Sequence, residues 1–167
     1  MIAIALHRDS ILYDISNVAF ITGDLVPDVK LQSGIQDVVN TGNVDRITRI
    51  MDKSYNELVV GLSAYNKAVL NTVDGIAETI TSDNSFKEES SYVLSINMPA
   101  DFNKNVVNAI TTACHEYMVC MSLFNWFSIT KKDEAELYRI KAIEELNKVK
   151  RYLTIRVGVT KRKMFPF

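Results

Sequence analysis

The residues best suited to chemistry in this chain are its two histidines and two cysteines. His115 is followed by Glu116 but by no second histidine four residues on, so the helical zinc-protease motif is incomplete. Cys114, His115 and Cys120 match no common zinc-ligand spacing and lie in a strongly apolar stretch. A free cysteine in such a stretch behaves as a small hydrophobic residue. We therefore expect reduced structural thiols, a histidine packed in the core or at its rim, and no metal site.

The remaining polar motifs also predict no catalytic site. The six glycines form neither a P-loop nor a dinucleotide-binding fingerprint, and no serine lies in a nucleophile-elbow context. Two carboxylate clusters, Asp24 with Asp28 and Asp83 with Glu88 and Glu89, are explained by acidic surface loops. A carboxylate pair assembled from distant segments would leave no trace in the sequence. We expect no catalytic residue and no cofactor, and a small helical enzyme is kept as the third alternative.

The elements that would position these residues are mainly helices. Apolar residues recur three or four apart over 11–22, 44–65, 102–127 and 131–156, which is the period of a helix buried on one side. The last two helices are separated by a three-residue break and should form a long antiparallel hairpin. The predicted N-caps are Ser10, Asn43, Asp101 and Thr130, the last in a capping box with Asp133, and the predicted stops are Gly23 and Gly158.

One segment has the period of a strand. Tyr92, Leu94, Ile96 and Met98 alternate with other residues before Pro99, which predicts a strand over 92–98. A single strand leaves half of its backbone groups unpaired, so it must pair with residues 2–6, with the C-terminal tail or with another subunit. In the last case Tyr92, Leu94 and Ile96 would bind a partner by strand addition.

The predicted fold class is mainly α. It is a helical bundle built on a long antiparallel helix hairpin, with one or two short strands and an extended C-terminal tail. We expect a helical domain over 1–157 and a docking tail over 158–167. Residues 24–43 read as a connection with about one helical turn, and 67–80 is a candidate for a short helix.

Composition and charge indicate an ordinary soluble domain whose N-terminal and C-terminal parts carry opposite net charges. The chain has 167 residues, 47% of them apolar and 23% charged, with a net charge of −1. Residues 1–129 carry a balance of −7 and residues 130–167 a balance of +6. The first residues lack a basic region before their apolar run, and the apolar stretch 117–129 is too short to cross a bilayer. We expect a protein that is neither membrane-bound nor exported by a cleaved signal.

Two features indicate partners. Trp126 points away from the face shared by Tyr117, Phe124 and Phe127 on a helix, which makes it the best candidate for an aromatic interface anchor, with core packing as the alternative. The second feature is the tail, where three basic residues precede apolar ones. Its candidate partner-binding residues are Lys161, Arg162, Lys163, Met164, Phe165 and Phe167. Charge would steer the encounter and apolar burial would slow release.

Several stretches resemble structural proteins of tailed bacteriophages, and the nearest group is the neck or head–tail connector ring proteins of crAss-like phages of gut Bacteroidales. The stretches that carry the resemblance are 115–119, 123–131, Tyr138, 142–150, 11–24, 42–46 and the ending 161–167. The motifs are structural and have no chemical signature. The resemblance is least clear over 66–90.

The resemblance implies a subunit of a closed ring of about twelve copies in the virion neck, made in the cytoplasm of the bacterial host. Its partners would be other copies of itself, the portal protein, neighbouring neck or tail proteins, and passing DNA bound without sequence specificity. It would have no membrane partner. The alternative from another class is a nucleic-acid-binding helical module that uses the basic C-terminal region, for which a steep fall of affinity with salt is expected.

Overall fold

The computed structural model describes residues 2–39, 42–65 and 91–157. In chain order the elements of these ranges are β1 (Ile2–His7), α1 (Arg8–Asp24), α2 (Val29–Gln36), α3 (Val44–Gly61), β2 (Ser91–Ile96), α4 (Val107–Thr130) and α5 (Lys132–Leu153). The predicted fold class, a mainly helical bundle with a long helix pair and a small sheet, is confirmed. The candidate helix near 67–80 and the tail over 158–167 lie outside the described residues.

The centre of the fold is the antiparallel pair of α4 and α5. The predicted seam of α4 is largely buried, with Phe102, Ile110, Ala113, Tyr117, Cys120 and Phe127 each at most 8% exposed. Ala135, Ala142, Val149 and Leu153 of α5 are buried as well, as their spacing predicts. The α4 helix is apolar nearly all round because α1, α2, α3 and β1 also pack on it.

The hairpin begins later than predicted because the segment before α4 pairs with the segment after α5. Phe102 and Arg156 form an isolated antiparallel bridge, and the backbone N–H of Val157 donates to the carbonyl of Asp101 at 2.7 Å. Asp101 is therefore not the N-cap of the long helix. After a short 3₁₀ turn over Lys104–Val106, α4 starts at Val107 instead of 102.

The break between the two long helices is also shorter than predicted. The helix α4 continues through 128–130, and only Lys131 departs from helical geometry. The hydroxyl of Thr130 donates to the carbonyl of Trp126 at 3.1 Å, so Thr130 does not form the expected capping box with Asp133. A threonine inside a helix often bonds back to the carbonyl four residues earlier, and this contact competes with capping.

A close approach of α1 and α2 defines one side of the bundle. The helix α1 starts at Arg8, before the predicted cap Ser10, and it includes Gly23, which was predicted as its stop. A Cβ atom at Gly23 would overlap Cγ of Gln36 in α2, so any larger residue there would force this side chain to move. The helix α2 was predicted as a connection. Asp28 caps it by accepting a hydrogen bond from the backbone N–H of Lys30 at 2.9 Å.

The helix α3 also packs on α4 and has the predicted amphipathic period. Ile47, Met51, Ser54 and Leu58 are buried, and the α-helical part ends at Gly61. Asn43 occupies the N-cap position, yet its side chain donates to the carbonyl of Asp37 at 2.7 Å instead of capping the helix.

The sheet has two antiparallel strands, and β2 pairs along its length with β1 of the same chain. The register runs from Ile2 opposite Ile96 to His7 opposite Ser91. Of the three partners that the sequence left open, residues 2–6 of the same chain are the ones that pair, and the strand covers 91–96 instead of 92–98. Alternate residues of both strands face the core, as Ile4, Leu6, Tyr92, Leu94 and Ile96 are each at most 2% exposed.

Candidate interaction surfaces

The thiols and the described metal-ligating side chains form no reactive centre. Cys114 and Cys120 are free and buried. Burial raises the pKa of Cys114 to about 12, and burial aided by the nearby Glu116 carboxylate raises the pKa of Cys120 to about 11. Both thiols are thus held in the unreactive protonated form at neutral pH. Within 2–39, 42–65 and 91–157, no three His, Cys, Asp or Glu side chains are grouped to hold a metal ion.

His115 lies at the rim of the core and joins two helices. Its Nε2 atom is 2.7 Å from Oδ2 of Asp14, so the ring links α4 to α1. His7 and His115 both line a cavity of about 280 Å³ beside Ser10, and Nδ1 of His7 is 3.0 Å from the hydroxyl of Ser91. Each ring already has a polar partner, which is the structural role that the sequence favoured for His115.

A second polar cluster ties the sheet to α3. The hydroxyl of Tyr92 donates to Oδ1 of Asp52 at 2.6 Å, and the guanidinium of Arg8 lies 5.3 Å from the centroid of the Tyr92 ring. Tyr55 stacks on Tyr92 at 4.8 Å between centroids and donates to the carbonyl of Val93. Burial, strengthened by the bond to Asp52, raises the pKa of Tyr92 well above its ordinary value. The phenol therefore stays protonated and acts as a structural donor.

The structure corrects the role expected of Trp126. This side chain is 1% exposed, and its indole N–H donates to the carbonyl of Ile35 at 3.1 Å. The helix α2, which was predicted as a connection, packs over this side of α4 and buries the ring. Trp126 is a core residue that fixes α2 on α4, so it is not accessible as an anchor for a partner.

The structure also corrects the expected partner residues of the strand. Tyr92, Leu94 and Ile96 point into the core of their own subunit, because β1 supplies the pairing strand and the pleat turns them inward. The outward side chains of β2 are Val93, which is 49% exposed, and the half-buried Ser91 and Ser95.

The six candidate partner-binding residues of the tail, Lys161, Arg162, Lys163, Met164, Phe165 and Phe167, lie outside the described residues. Their role stays a prediction from sequence. Val157 is the last described residue before the tail, and it lies beside Asp101 at the start of the α4–α5 hairpin.

Exposed apolar side chains are concentrated on α1, α2 and the segment between them. Six large apolar side chains are exposed there, out of fifteen in the described residues. They are Tyr13 (67%), Phe20 (55%), Ile21 (63%), Leu25 (78%), Val29 (75%) and Leu31 (55%). We call this surface, together with the exposed Asp24 and Asp28, the α1–α2 face. A concentration of exposed apolar side chains rimmed by polar residues is typical of an interaction site.

A basic row runs along the exposed side of α3. Arg46, Arg49 and Lys53 follow one another at spacings of three and four, and all three are exposed. Lys53 pairs with Glu57 at 3.8 Å and donates to Asn125. Arg46 and Arg49 have no carboxylate partner within 4.0 Å in the part of the chain that the structure describes. We call these three residues the α3 basic row.

Neither surface was found by sequence reasoning. The signal for the α1–α2 face was present, because apolar residues lie on both sides of α1 although a helix packed on one side needs only one stripe. The signal for the α3 basic row was the helical spacing of its cations. The net charge of residues 1–129 is negative and therefore does not reveal these cations.

No described helix is long and apolar enough to span a membrane. Comparison with protein-family models, curated proteins and solved structures found no match to this chain.

Proposed function

We propose that this chain is a non-enzymatic structural subunit that assembles with copies of itself into a closed ring, and that the ring is part of the neck of a tailed phage. In this role it connects the portal to the tail and extends the conduit for DNA. The resemblance to neck connector proteins supports a ring in a phage neck as the type of assembly. The observation that carries the proposal is the α1–α2 face, because its exposed apolar side chains need a partner.

The mechanism is scaffolding. The α4–α5 hairpin supplies a rigid body of about 33 Å, given 22 residues in α5 at about 1.5 Å each. A subunit that binds the next copy through two different surfaces forms a ring when the rotation between copies closes. The buried, protonated thiols and the hydrogen-bonded histidine rings are consistent with a structural subunit.

The test is the mass of the purified full chain across protein and salt concentration, measured by native mass spectrometry and light scattering. We expect one closed species of about twelve copies, visible as a ring by electron microscopy, with partial dissociation at high salt. Co-purification with a portal ring would then test its place in the neck. A chain that stays monomeric at every concentration, with or without a portal ring, would contradict the proposal.

A second candidate function, a nucleic-acid-binding module, is favoured by the α3 basic row. Two arginines that have no carboxylate partner among the described residues, and a lysine at helical spacing from them, present cations to one side, as phosphate contacts require. Binding of a non-specific duplex should then weaken steeply with salt, and replacing Arg46 and Arg49 by glutamine should flatten that slope by about two. Replacement of Lys30 and Lys104 by glutamine is a charge-matched control, because both are exposed and lie outside α3 and the basic C-terminal region. Equal slopes for both variants would argue against the α3 basic row.

A further inference from the structure

The α1–α2 face combines apolar exposure with negative charge. Residues 9–37 hold five aspartates and a single lysine. Asp24 accepts hydrogen bonds from the side-chain amides of Gln32 at 3.1 Å and Gln36 at 2.8 Å. Neither Asp24 nor Asp28 has a lysine or arginine partner among the described residues, and both are exposed to solvent.

The sequence of residues 161–167 has the complementary chemistry. Three consecutive cations are followed by Met164, Phe165, Pro166 and Phe167, so positive charge and large apolar side chains come in one short segment. Aspartates beside exposed leucine, valine and phenylalanine form a matching surface, in which charge guides the encounter and apolar burial holds the complex.

The end of α1 and Val157, the last described residue before the tail, lie toward opposite ends of the bundle. The side chain of Thr22 lies close enough to Tyr138 to oppose the rise in the pKa of its phenol that burial causes, which places the end of α1 near the start of α5. Val157 follows the C-terminal end of α5, which is the opposite end of that helix. Tyr138 and Leu153 are separated by 15 residues of helix, or about 22 Å.

This separation favours the tail of a neighbour over the chain's own tail. Lys161 to Lys163 follow Val157 by four to six residues, which span at most about 14–22 Å when fully extended. The α1–α2 face lies at or beyond Thr22, so a subunit's own cations would meet Asp24 and Asp28 only if residues 158–163 were fully extended along the length of α5. A neighbouring copy placed head to tail has no such restriction, and its tail approaches from outside.

We propose that the α1–α2 face is the receptor for residues 161–167 of the adjacent copy. Asp24 and Asp28 meet the three cations, and Phe20, Leu25 and Val29 receive the apolar side chains. The joint is heterologous, since one subunit gives its tail and the other its face. The inference deepens the proposed ring assembly and rests on it only for the claim that the donor is a second copy.

The first experiment changes the receptor without touching the core. Leu25→Asp and Val29→Asp replace side chains that are 78% and 75% exposed, so the subunit should keep its fold. Val60→Asp on α3 is the matched control, with 71% exposure. We expect the double variant to stay monomeric by light scattering and the control to assemble like the unaltered chain. Normal assembly of the double variant would overturn the inference.

Mixing tests the direction of the joint. A chain that lacks residues 161–167 keeps its face, and the Leu25→Asp, Val29→Asp chain keeps its tail. Each should be monomeric alone, and the mixture should form a one-to-one dimer that grows no further. A mixture that remains monomeric would overturn the assignment of face and tail.

A peptide titration separates this inference from the proposed function. A peptide of residues 158–167 is added to the isotopically labelled full chain, and methyl resonances are followed by NMR. Shifts concentrated on Ile21, Leu25 and Val29 support the receptor even if the full chain forms no ring, in which case only the proposed function fails. Shifts confined to other surfaces, or no shifts, overturn the receptor even if rings form.

Discussion

Replacing Trp126 by phenylalanine should destabilise the subunit by about 2–4 kcal/mol. The change removes the indole donor and leaves the carbonyl of Ile35 buried without its partner, at a cost of about 1–3 kcal/mol. The smaller ring also buries roughly 40 Å² less apolar surface, or about 1 kcal/mol at about 25 cal/mol/Å². For a chain of this size, the melting temperature should fall by about 4–16 °C.

The assay is urea unfolding followed by circular dichroism, because Trp126 is the only tryptophan and its fluorescence is lost in the variant. Tyr13→Phe is the matched control, since it removes a polar atom from an aromatic ring that is 67% exposed. The control should change the free energy of unfolding by less than about 0.5 kcal/mol. The unaltered protein should also show the blue-shifted emission of a buried indole. A Trp126→Phe variant as stable as the control would refute the core assignment.

Three further predictions concern the core, the thiols and the basic row. Ile110→Ala should cost about 2–5 kcal/mol by chemical denaturation, whereas Ile140→Ala, at a side chain 48% exposed, should be nearly neutral. Because burial raises the pKa of Cys114 to about 12 and of Cys120 to about 11, both ionise first in the unfolded chain. Stability should therefore be unaffected by them below about pH 8 and should fall as pH rises from about 9 toward 11, with slow labelling by a thiol reagent at neutral pH. Charge-reversing both arginines of the α3 basic row should leave the melting temperature within about 2 °C but abolish any duplex binding measured by fluorescence anisotropy.

The parts of the fold that could be predicted are those with long, regular patterns. The apolar seams of α4 and α5 extend over more than five turns each, which makes their helical period clear in the sequence. The pairing of the predicted strand with residues 2–6 was one of the few ways to satisfy its backbone groups. The helix α2 has only eight residues and includes Gly34 after Pro27, so its pattern is weak. Its cap, Asp28, was the available signal.

The candidate surfaces were harder to predict because exposure depends on what covers a residue. Trp126 lies on a helix that is apolar nearly all round, so its spacing could not show that α2 would pack over it. The reverse holds for Phe20 and Leu25, which have core-like side chains and are left uncovered in the described chain. In both cases the missing information is the position of a neighbouring helix, which no local pattern contains.

Two glycines give the means to test whether the position of α2 matters for assembly. Gly23→Ala would press a methyl group into Gln36, and moving that side chain breaks its bonds to the Phe20 carbonyl and Asp24. We expect a loss of about 1–3 kcal/mol and a displaced α2, as for other overpacked contacts. Gly34→Ala, with open space around the new methyl group, should raise stability by about 0.5–1 kcal/mol.

If α2 positions the receptor, Gly23→Ala should also weaken binding of the tail peptide at a temperature where the variant remains folded, while Gly34→Ala should bind the peptide normally. Equal binding by the two variants would show that α2 can shift without disturbing the α1–α2 face, and that the receptor is formed by α1 alone.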